Sequence, residues 1–228
     1  MSAAYIFDVE GTLIDCVADT LRCWRETLSS FDLSFSPEQL QSLSGMDGDE
    51  MLKALVPSLD KQARKAVLSA QGERYRAKYL PTVHAFPGIR SAFAAIKASG
   101  GQIALATDCQ ADQLKHYRRL MDVDDMIDTI ACGSDVSKGK PDPALVELAL
   151  DHLGSTPPVH VTVIGDTPFD AKAARSAGAT AWGILGGCHS RSSLIDAGCS
   201  AVVSSVQDIE RILRREKKTA SPVAADRG

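Results

Sequence analysis

Apolar positions follow two different periods along this chain. Residues 4–7 form a short, mostly apolar run with the length of a buried strand. Over 17–31 the period changes, with Leu21, Trp24, Leu28 and Phe31 recurring at helical spacing. Ser36-Pro37-Glu38-Gln39 reads as an N-cap, a proline at the first helical position and a capping-box glutamine. Gly45-Met46-Asp47-Gly48 interrupts that helix. A further helix is predicted over about 49–55, stopping before Pro57, and Asp60 caps a longer one reaching about residue 79. The block 16–82 reads as helical throughout and contains no convincing strand.

Beyond it, strands alternate with helices. Pro87-Gly88 opens a helix that ends at Gly100-Gly101. Strands are predicted at 102–106, 129–131, 159–164, 180–184 and 201–203, and helices at 110–121, 143–153, 168–177 and 206–216. This alternation predicts an α/β fold with a doubly wound parallel sheet. The helical block then sits over the carboxyl edge of that sheet, as an insert after the first strand. The expected division is a core of 1–15 and 83–216 and a helical cap of 16–82, with hinges near 16–18 and 80–86. The polar, small-residue tail 217–228 is expected to be disordered.

Composition narrows the function classes. The 228 residues are 24% charged with a formal net charge of -4, which gives no electrostatic case for nucleic acid as a partner. Arg211, Arg214, Arg215, Lys217 and Lys218 cluster, but at a helix end where cations suit the dipole. None of the six cysteines forms a Cys-x-x-Cys pair, so zinc is not expected, and scattered cysteines suggest reduced thiols in a cytoplasmic protein. No secretion signal and no apolar run of about 18 residues is seen, so no membrane partner is expected.

Four stretches carry candidate chemistry. Asp8 and Glu10 follow the first strand, and Gly11 permits a sharp turn there. Ligands in open α/β sheets bind at the carboxyl ends of strands. Two acids there suit a metal site or a nucleophile with an acid/base partner, although solvated acids in a capped turn fit this stretch too. Thr107 ends a later strand, Lys138 and Lys140 precede Pro141, and Asp166 and Asp170 stand four apart after another strand. Each has a bland alternative: a strand-end residue, a solvated lysine, a helix N-cap with a first-turn acid. The loop 133–140 lacks P-loop spacing, and no Gly-x-Gly-x-x-Gly follows a strand. Cys109 reads as a plain thiol whose pKa the adjacent Asp108 raises, and His189 as part of a surface loop.

In this order the four stretches resemble the motifs of the haloacid dehalogenase-like hydrolases. Asp8-Val9-Glu10-Gly11-Thr12 resembles motif I, Ala104-Leu105-Ala106-Thr107 motif II, Lys138-Gly139-Lys140-Pro141 motif III, and Gly165-Asp166-Thr167-Pro168-Phe169-Asp170 motif IV. Ala173-Ala174-Arg175-Ser176-Ala177-Gly178-Ala179 suits the phosphoglycolate phosphatase-like branch. The likeness runs over about 4–213. It implies a Rossmann-like core with a helical cap. It also implies an Mg²⁺-dependent phosphatase that hydrolyses a small phosphorylated metabolite through an aspartyl-phosphate.

By this resemblance Asp8 is the nucleophile, and Asp8, the Glu10 carbonyl and Asp166 hold Mg²⁺, while Asp170 either ligates or orients the ligands. The Glu10 side chain is the general acid/base, Thr107 and Lys140 bind the phosphoryl group, and Gly45, Met46 and Asp47 form a substrate loop. Two departures stand out: Glu10 is one methylene longer than the usual Asp, and Asp108 stands where Asn is common. The alternatives are a phosphonatase or sugar-phosphate mutase, or a catalytically weak member that binds a phosphometabolite or a protein partner. A phosphonatase needs a cap lysine, for which Lys53 is the candidate, although a solvated lysine fits it better. Whether the protein is a monomer or a homodimer is left open.

Overall fold

The computed structural model describes residues 3–154 and 156–220, with side chains up to residue 214. Six strands form one parallel sheet in the order β5-β4-β1-β6-β7-β8. They are β1 (Ala4–Phe7), β4 (Gln102–Thr107), β5 (Thr129–Cys132), β6 (Val161–Gly165), β7 (Thr180–Ile184) and β8 (Ala201–Val203). The order runs outward in both directions from β1, which places the end of β1 at the switch point of a doubly wound sheet.

The pleat sorts the side chains into two cores. Tyr5 and Phe7 of β1, with Ile103 and Leu105 of β4, face α5 (Ile89–Ala98), α6 (Ala111–Met121) and α10 (Val206–Ala220). Phe7 packs on Phe93 with ring centroids 4.9 Å apart. Burying one such ring contributes roughly 1.5–3 kcal/mol. Ala4, Ile6, Ala104 and Ala106 face the other way, onto α7 (Ala144–Leu153), α8 (Pro168–Ser176) and α9 (Arg191–Asp196). Small residues dominate this second face, including Ala171, Ala173 and Ala174 of α8.

The chain leaves the sheet after β1 through a two-residue strand, β2 (Ile14–Asp15), and returns through β3 (His84–Ala85), paired antiparallel to it. Between them lie α1 (Val17–Ser29), α2 (Pro37–Ser42), α3 (Gly48–Leu55) and α4 (Lys61–Arg74). A π-helical turn (Tyr75–Tyr79) and a 3₁₀ turn (Leu80–Thr82) follow α4. The capping box of Ser36 and Gln39 is formed, and Asp47 and Asp60 cap α3 and α4. These helices share an apolar cluster of their own, centred on Trp24, Leu28, Leu40, Met51, Leu52 and Val67.

Several sequence expectations need correction. The first cap helix ends at Ser29, so Phe31 falls beyond it and is exposed. The strand expected from residue 159 begins at Val161, because Pro158–His160 forms a 3₁₀ turn and Val159 points to solvent. Helix α10 continues to Ala220 rather than stopping at 216, so its last turn takes in part of the expected tail. Residues 221–228 lie outside the described residues, as do the side chains of Arg215, Lys217 and Lys218. The β2–β3 pair and α9 were not anticipated; they are too short to show a period. No described helix is long and apolar enough to cross a membrane. All six cysteines are free thiols.

Candidate active site

The Asp8 amide donates to the Ile164 carbonyl at 2.9 Å, which carries the β1–β6 ladder one residue past the strand. Asp8 is thereby fixed at the carboxyl edge, at the centre of the sheet. The chain then folds back, with the Leu13 and Ile14 amides both donating to the Val9 carbonyl. Gly11 sits in this turn at φ +81°, and a Cβ there would lie 2.4 Å from the Asp166 carboxylate. Only glycine meets both conditions. Thr12 donates its hydroxyl to Asp166 at 3.1 Å, so motif I also orients the acid at the end of β6.

Lys140 reaches this edge from the loop before α7 and is 5% exposed. Its ammonium donates to Asp8 at 2.5 Å and to Asp170 at 2.8 Å, and lies 3.4 Å from Asp108. Lys138 is exposed and lies 3.6 Å from Asp142. Of the two rival lysines, Lys140 is therefore the one at the site. The other Asp170 oxygen accepts from the Thr167 amide at 3.0 Å and the Thr167 hydroxyl at 2.6 Å, completing the capping box of α8. The bland alternative holds for Asp170, a first-turn acid of α8, but the N-cap is Thr167 rather than Asp166.

Three carboxylates (Asp8, Asp108 and Asp170) surround one ammonium, and a fourth, Asp166, lies beside Asp8 and Asp170. Burial pushes Asp8 up to about 7, against the pull of Lys140. It raises Asp166 well above the usual carboxylate range, where the charges of Asp8 and Asp170 add to the effect. Burial also raises Asp108 and Glu10. It opposes the charge on Lys140, yet Asp170, Asp8 and Asp108 together hold that ammonium firmly protonated. Asp8, Asp166 and Asp170 bring one oxygen each to within 4.8 Å of one another. An all-oxygen set with excess negative charge fits a hard divalent cation such as Mg²⁺.

A cavity of about 490 Å³ opens above these acids. Asp8, Glu10, Lys140 and Asp166 line it from below, and Gly45, Met46 and Asp47 from the inserted helices. Trp24, Met51 and Leu68 add an apolar roof. Gly45 (φ +86°) lies so close to Thr167 that a Cβ would come within 2.3 Å of its methyl group. His189 is half-buried, with Nε2 3.0 Å from the Ser44 carbonyl. It is a contact between core and insert rather than part of a free surface loop.

Other expected residues are placed differently. Thr107 is fully buried at the end of β4, its hydroxyl accepts the Cys109 amide at 3.3 Å, and it is not part of the cavity wall. Lys53 pairs with Asp49 and Glu50 on the insert's surface and does not itself line the cavity. Lys65, not singled out in the sequence, is exposed at the cavity's edge. The Cys109 thiol is pushed up, but by its burial and then the Glu10 carboxylate, rather than by the adjacent Asp108. Tyr117, also missed, donates its hydroxyl to Glu10 at 2.7 Å. It sits in the helical period of α6, so sequence spacing marks it only as core.

The family pattern described as haloacid dehalogenase-like hydrolase matches residues 5–184. A phosphorylated carbohydrates phosphatase of Thermotoga maritima is 28% identical over 214 residues, covering 92% of this chain and 98% of that protein. A phosphoglycolate phosphatase of Nitrosospira multiformis is 25% identical over 218 residues, covering 93% and 96%. The crystal structure of a hydrolase from Pseudomonas syringae superposes with a TM-score of 0.85 at 28% identity, over 96% of this chain and all of that one.

Proposed function

The chain belongs to the haloacid dehalogenase-like hydrolases, and from that premise we propose that it is an Mg²⁺-dependent phosphatase acting on a small phosphomonoester, phosphoglycolate or a sugar phosphate in kind. The observation that carries this reading is the Asp8–Lys140 pair at 2.5 Å, buried beside Asp166 at the floor of the cavity. Asp8, Asp166 and the Glu10 carbonyl would hold the ion, with Asp170 alongside. When bound, Mg²⁺ neutralises charge on the phosphoryl oxygens and the acids.

A free oxygen of Asp8 attacks phosphorus in line with the ester oxygen. The P–O bond to the leaving group breaks, and the departing oxygen takes a proton from the Glu10 carboxyl group. Glu10 then removes a proton from water, whose oxygen displaces Asp8 from the aspartyl-phosphate and yields inorganic phosphate. Lys140 offsets the charge that gathers on Asp8 and the phosphoryl oxygens. Thr107, whose hydroxyl accepts the Cys109 amide, keeps its own proton to donate to a phosphoryl oxygen. Residues 16–82 act as the cap, and Gly45, Met46 and Asp47 meet the substrate's organic part. The expected partners are small metabolites in the cytoplasm, with no nucleic acid or membrane.

The test is phosphate release from a panel containing phosphoglycolate, hexose phosphates and p-nitrophenyl phosphate, with Mg²⁺ or with excess chelator. Release should need Mg²⁺ and vanish in Asp8→Asn, which keeps the side-chain shape but loses the nucleophile. Full activity in chelator, or in Asp8→Asn, rejects the mechanism. No release from any member while phosphate analogues still bind would favour a binding protein instead.

A further inference from the structure

The Glu10 carboxylate does not stand alone over the cavity. Tyr117 of α6, fully buried, donates its hydroxyl to Glu10 at 2.7 Å. The Tyr75 hydroxyl lies 2.8 Å from that of Tyr117 and is also buried. Each hydroxyl has one proton. With the Tyr117 proton committed to Glu10, Tyr75 is the donor in the second bond. The result is a directed chain, Tyr75 to Tyr117 to Glu10. Its members come from three places: the turn after β1, the core helix α6 and the π-helical turn Tyr75–Tyr79 by which the inserted helices return to the sheet. π turns occur often at functional sites.

The geometry points to Tyr117 and Tyr75 as positioning residues that hold the Glu10 carboxylate for proton transfer, with Tyr117 acting directly and Tyr75 through it. This rests on the reading of Glu10 as the proton-transfer group. The length of Glu10 is what makes the chain close. An aspartate at this position would retract its oxygens by about one carbon–carbon bond, ~1.5 Å. The contact with Tyr117 would then stretch to about 4 Å, beyond hydrogen-bonding range. The departure from the usual Asp and the presence of Tyr117 thus form one matched pair. A half-buried carboxylate on a three-torsion side chain otherwise has several rotamers available, and the hydroxyl selects one.

The experiment compares Tyr117→Phe, Tyr75→Phe, Glu10→Gln and Glu10→Asp, plus Tyr117→Phe in the Glu10→Asp background, all with p-nitrophenyl phosphate and phosphoglycolate. A hydrogen bond to a charged group is worth about tenfold or more. Tyr117→Phe should therefore lower kcat on phosphoglycolate by about tenfold with KM within about threefold, and Tyr75→Phe by a smaller factor. In the Glu10→Asp background, Tyr117→Phe should cost nothing further, because the shorter acid never reaches the hydroxyl. With p-nitrophenyl phosphate, acid-quenched Tyr117→Phe should show a higher fraction of phosphoenzyme at steady state, as should Glu10→Gln, because hydrolysis of the intermediate still needs the base. A merely structural defect would reduce phosphoenzyme and turnover together.

If Glu10→Gln loses activity while Tyr117→Phe keeps parental kcat, or if the Tyr117→Phe penalty is undiminished beside Glu10→Asp, the positioning role is overturned and the reading of Glu10 survives. If Glu10→Gln itself turns over within a few-fold of the parent, both are overturned.

Discussion

The main-chain carbonyl of Lys140 accepts a hydrogen bond from the Asp47 amide at 3.1 Å. On its other side the Lys140 amide donates to Asp108 at 3.0 Å. The peptide that carries the lysine paired with Asp8 is thus gripped from above by the insert and from below by the loop after β4. A shift of the insert loop is a shift of that lysine's backbone, which links cavity closure to the charge beside the nucleophile.

Gly45 is the position from which to test that link. It has a left-handed φ of +86° and nearly touches Thr167. Gly45→Ala adds about 1–2 kcal/mol of backbone strain and a clash at the Thr167 methyl, which together push the loop off the core. Asp47 then loses Lys140. The expected outcome is a KM raised about tenfold or more, with altered preference across the phosphomonoester panel and Mg²⁺ affinity changed by less than about threefold. Isothermal titration with Mg²⁺ beside steady-state kinetics measures both. A weakened ion with unchanged KM would count against a substrate-facing loop.

Most of the fold was legible in the sequence for a simple reason. Each core strand carries an apolar run, and several helices have a side-chain cap or a glycine at an end, as α2, α3, α4 and α8 do with Ser36, Asp47, Asp60 and Thr167. The acids and lysine of the site were legible because they follow strand ends in a fixed order. Tyr117 and Tyr75 were not, since Glu10 lies 107 residues from Tyr117 and Tyr75 lies 42 residues from it, and a buried tyrosine on a helix reads only as core. Thr107 does stand at the strand end, and its hydroxyl accepts the Cys109 amide, a contact that the sequence does not show. Periodicity places a residue on an element without fixing its rotamer.

Lys140 and Lys138 separate a site lysine from a solvated one. Lys140→Ala leaves Asp8, Asp170 and Asp108 without their cation. Removing one partner of a buried pair costs about 3–5 kcal/mol, or roughly 10 °C in a domain of this size. Scanning calorimetry in chelator should show that drop, partly restored by Mg²⁺, and phosphate release should be abolished. Lys138→Ala should change stability by no more than about 0.5 kcal/mol and leave kcat unchanged. A larger loss in Lys138→Ala would reverse the assignment.

Glu10→Gln keeps the main-chain carbonyl and nearly the same volume, but its amide cannot carry the transferred proton. General acid–base catalysis contributes about 10²–10⁴-fold, so kcat should fall on that scale. Mg²⁺ affinity should stay close to the parent's, because the carbonyl is the proposed ligand. Turnover within a few-fold of the parent would mean that only the backbone of Glu10 matters.

The pH dependence of stability should run opposite to that of an ordinary salt-bridged acid. An acid whose pKa rises on folding keeps its proton in the native state over a range where the unfolded chain has lost it. Its contribution to stability therefore falls as pH rises through that range. For Asp8 the range extends from the ordinary 3.8 to about 7. Asp166, Asp108 and Glu10 are displaced the same way by burial. Half-buried acids such as Glu26 and Asp49 are lowered instead, by hydrogen bonds from Lys78 and Lys53 respectively, and act only at and below ordinary carboxylate values. In excess chelator the unfolding midpoint should fall by several degrees between about pH 5 and about pH 8. Mg²⁺ should flatten the slope, since a bound cation favours the ionised acids. A midpoint that climbs over this interval in chelator would contradict the buried, uncompensated cluster.

Asp108 supplies the remaining prediction. One of its oxygens accepts the Lys140 amide, and the other lies 3.4 Å from the Lys140 ammonium but has no hydrogen-bond partner. A phosphate ester entering the cavity meets Asp108 as one negative charge more than the motif usually presents. Asp108→Asn keeps the acceptor for the Lys140 amide and removes that charge. Two unit charges about 6 Å apart repel by roughly 3 kcal/mol at an effective dielectric constant near 20. Water in the open cavity would reduce this to about 1 kcal/mol, or about fivefold in binding. Lys140 would also have one carboxylate fewer to neutralise. The KM for phosphoglycolate should therefore fall about three- to tenfold, and inorganic phosphate should inhibit more tightly by a similar factor. Because the gain is in binding the ground state, kcat should change by no more than a few-fold. If KM and phosphate inhibition stay at the parent's values, the Asp108 charge is not felt by the phosphate, and its part is confined to holding the Lys140 backbone.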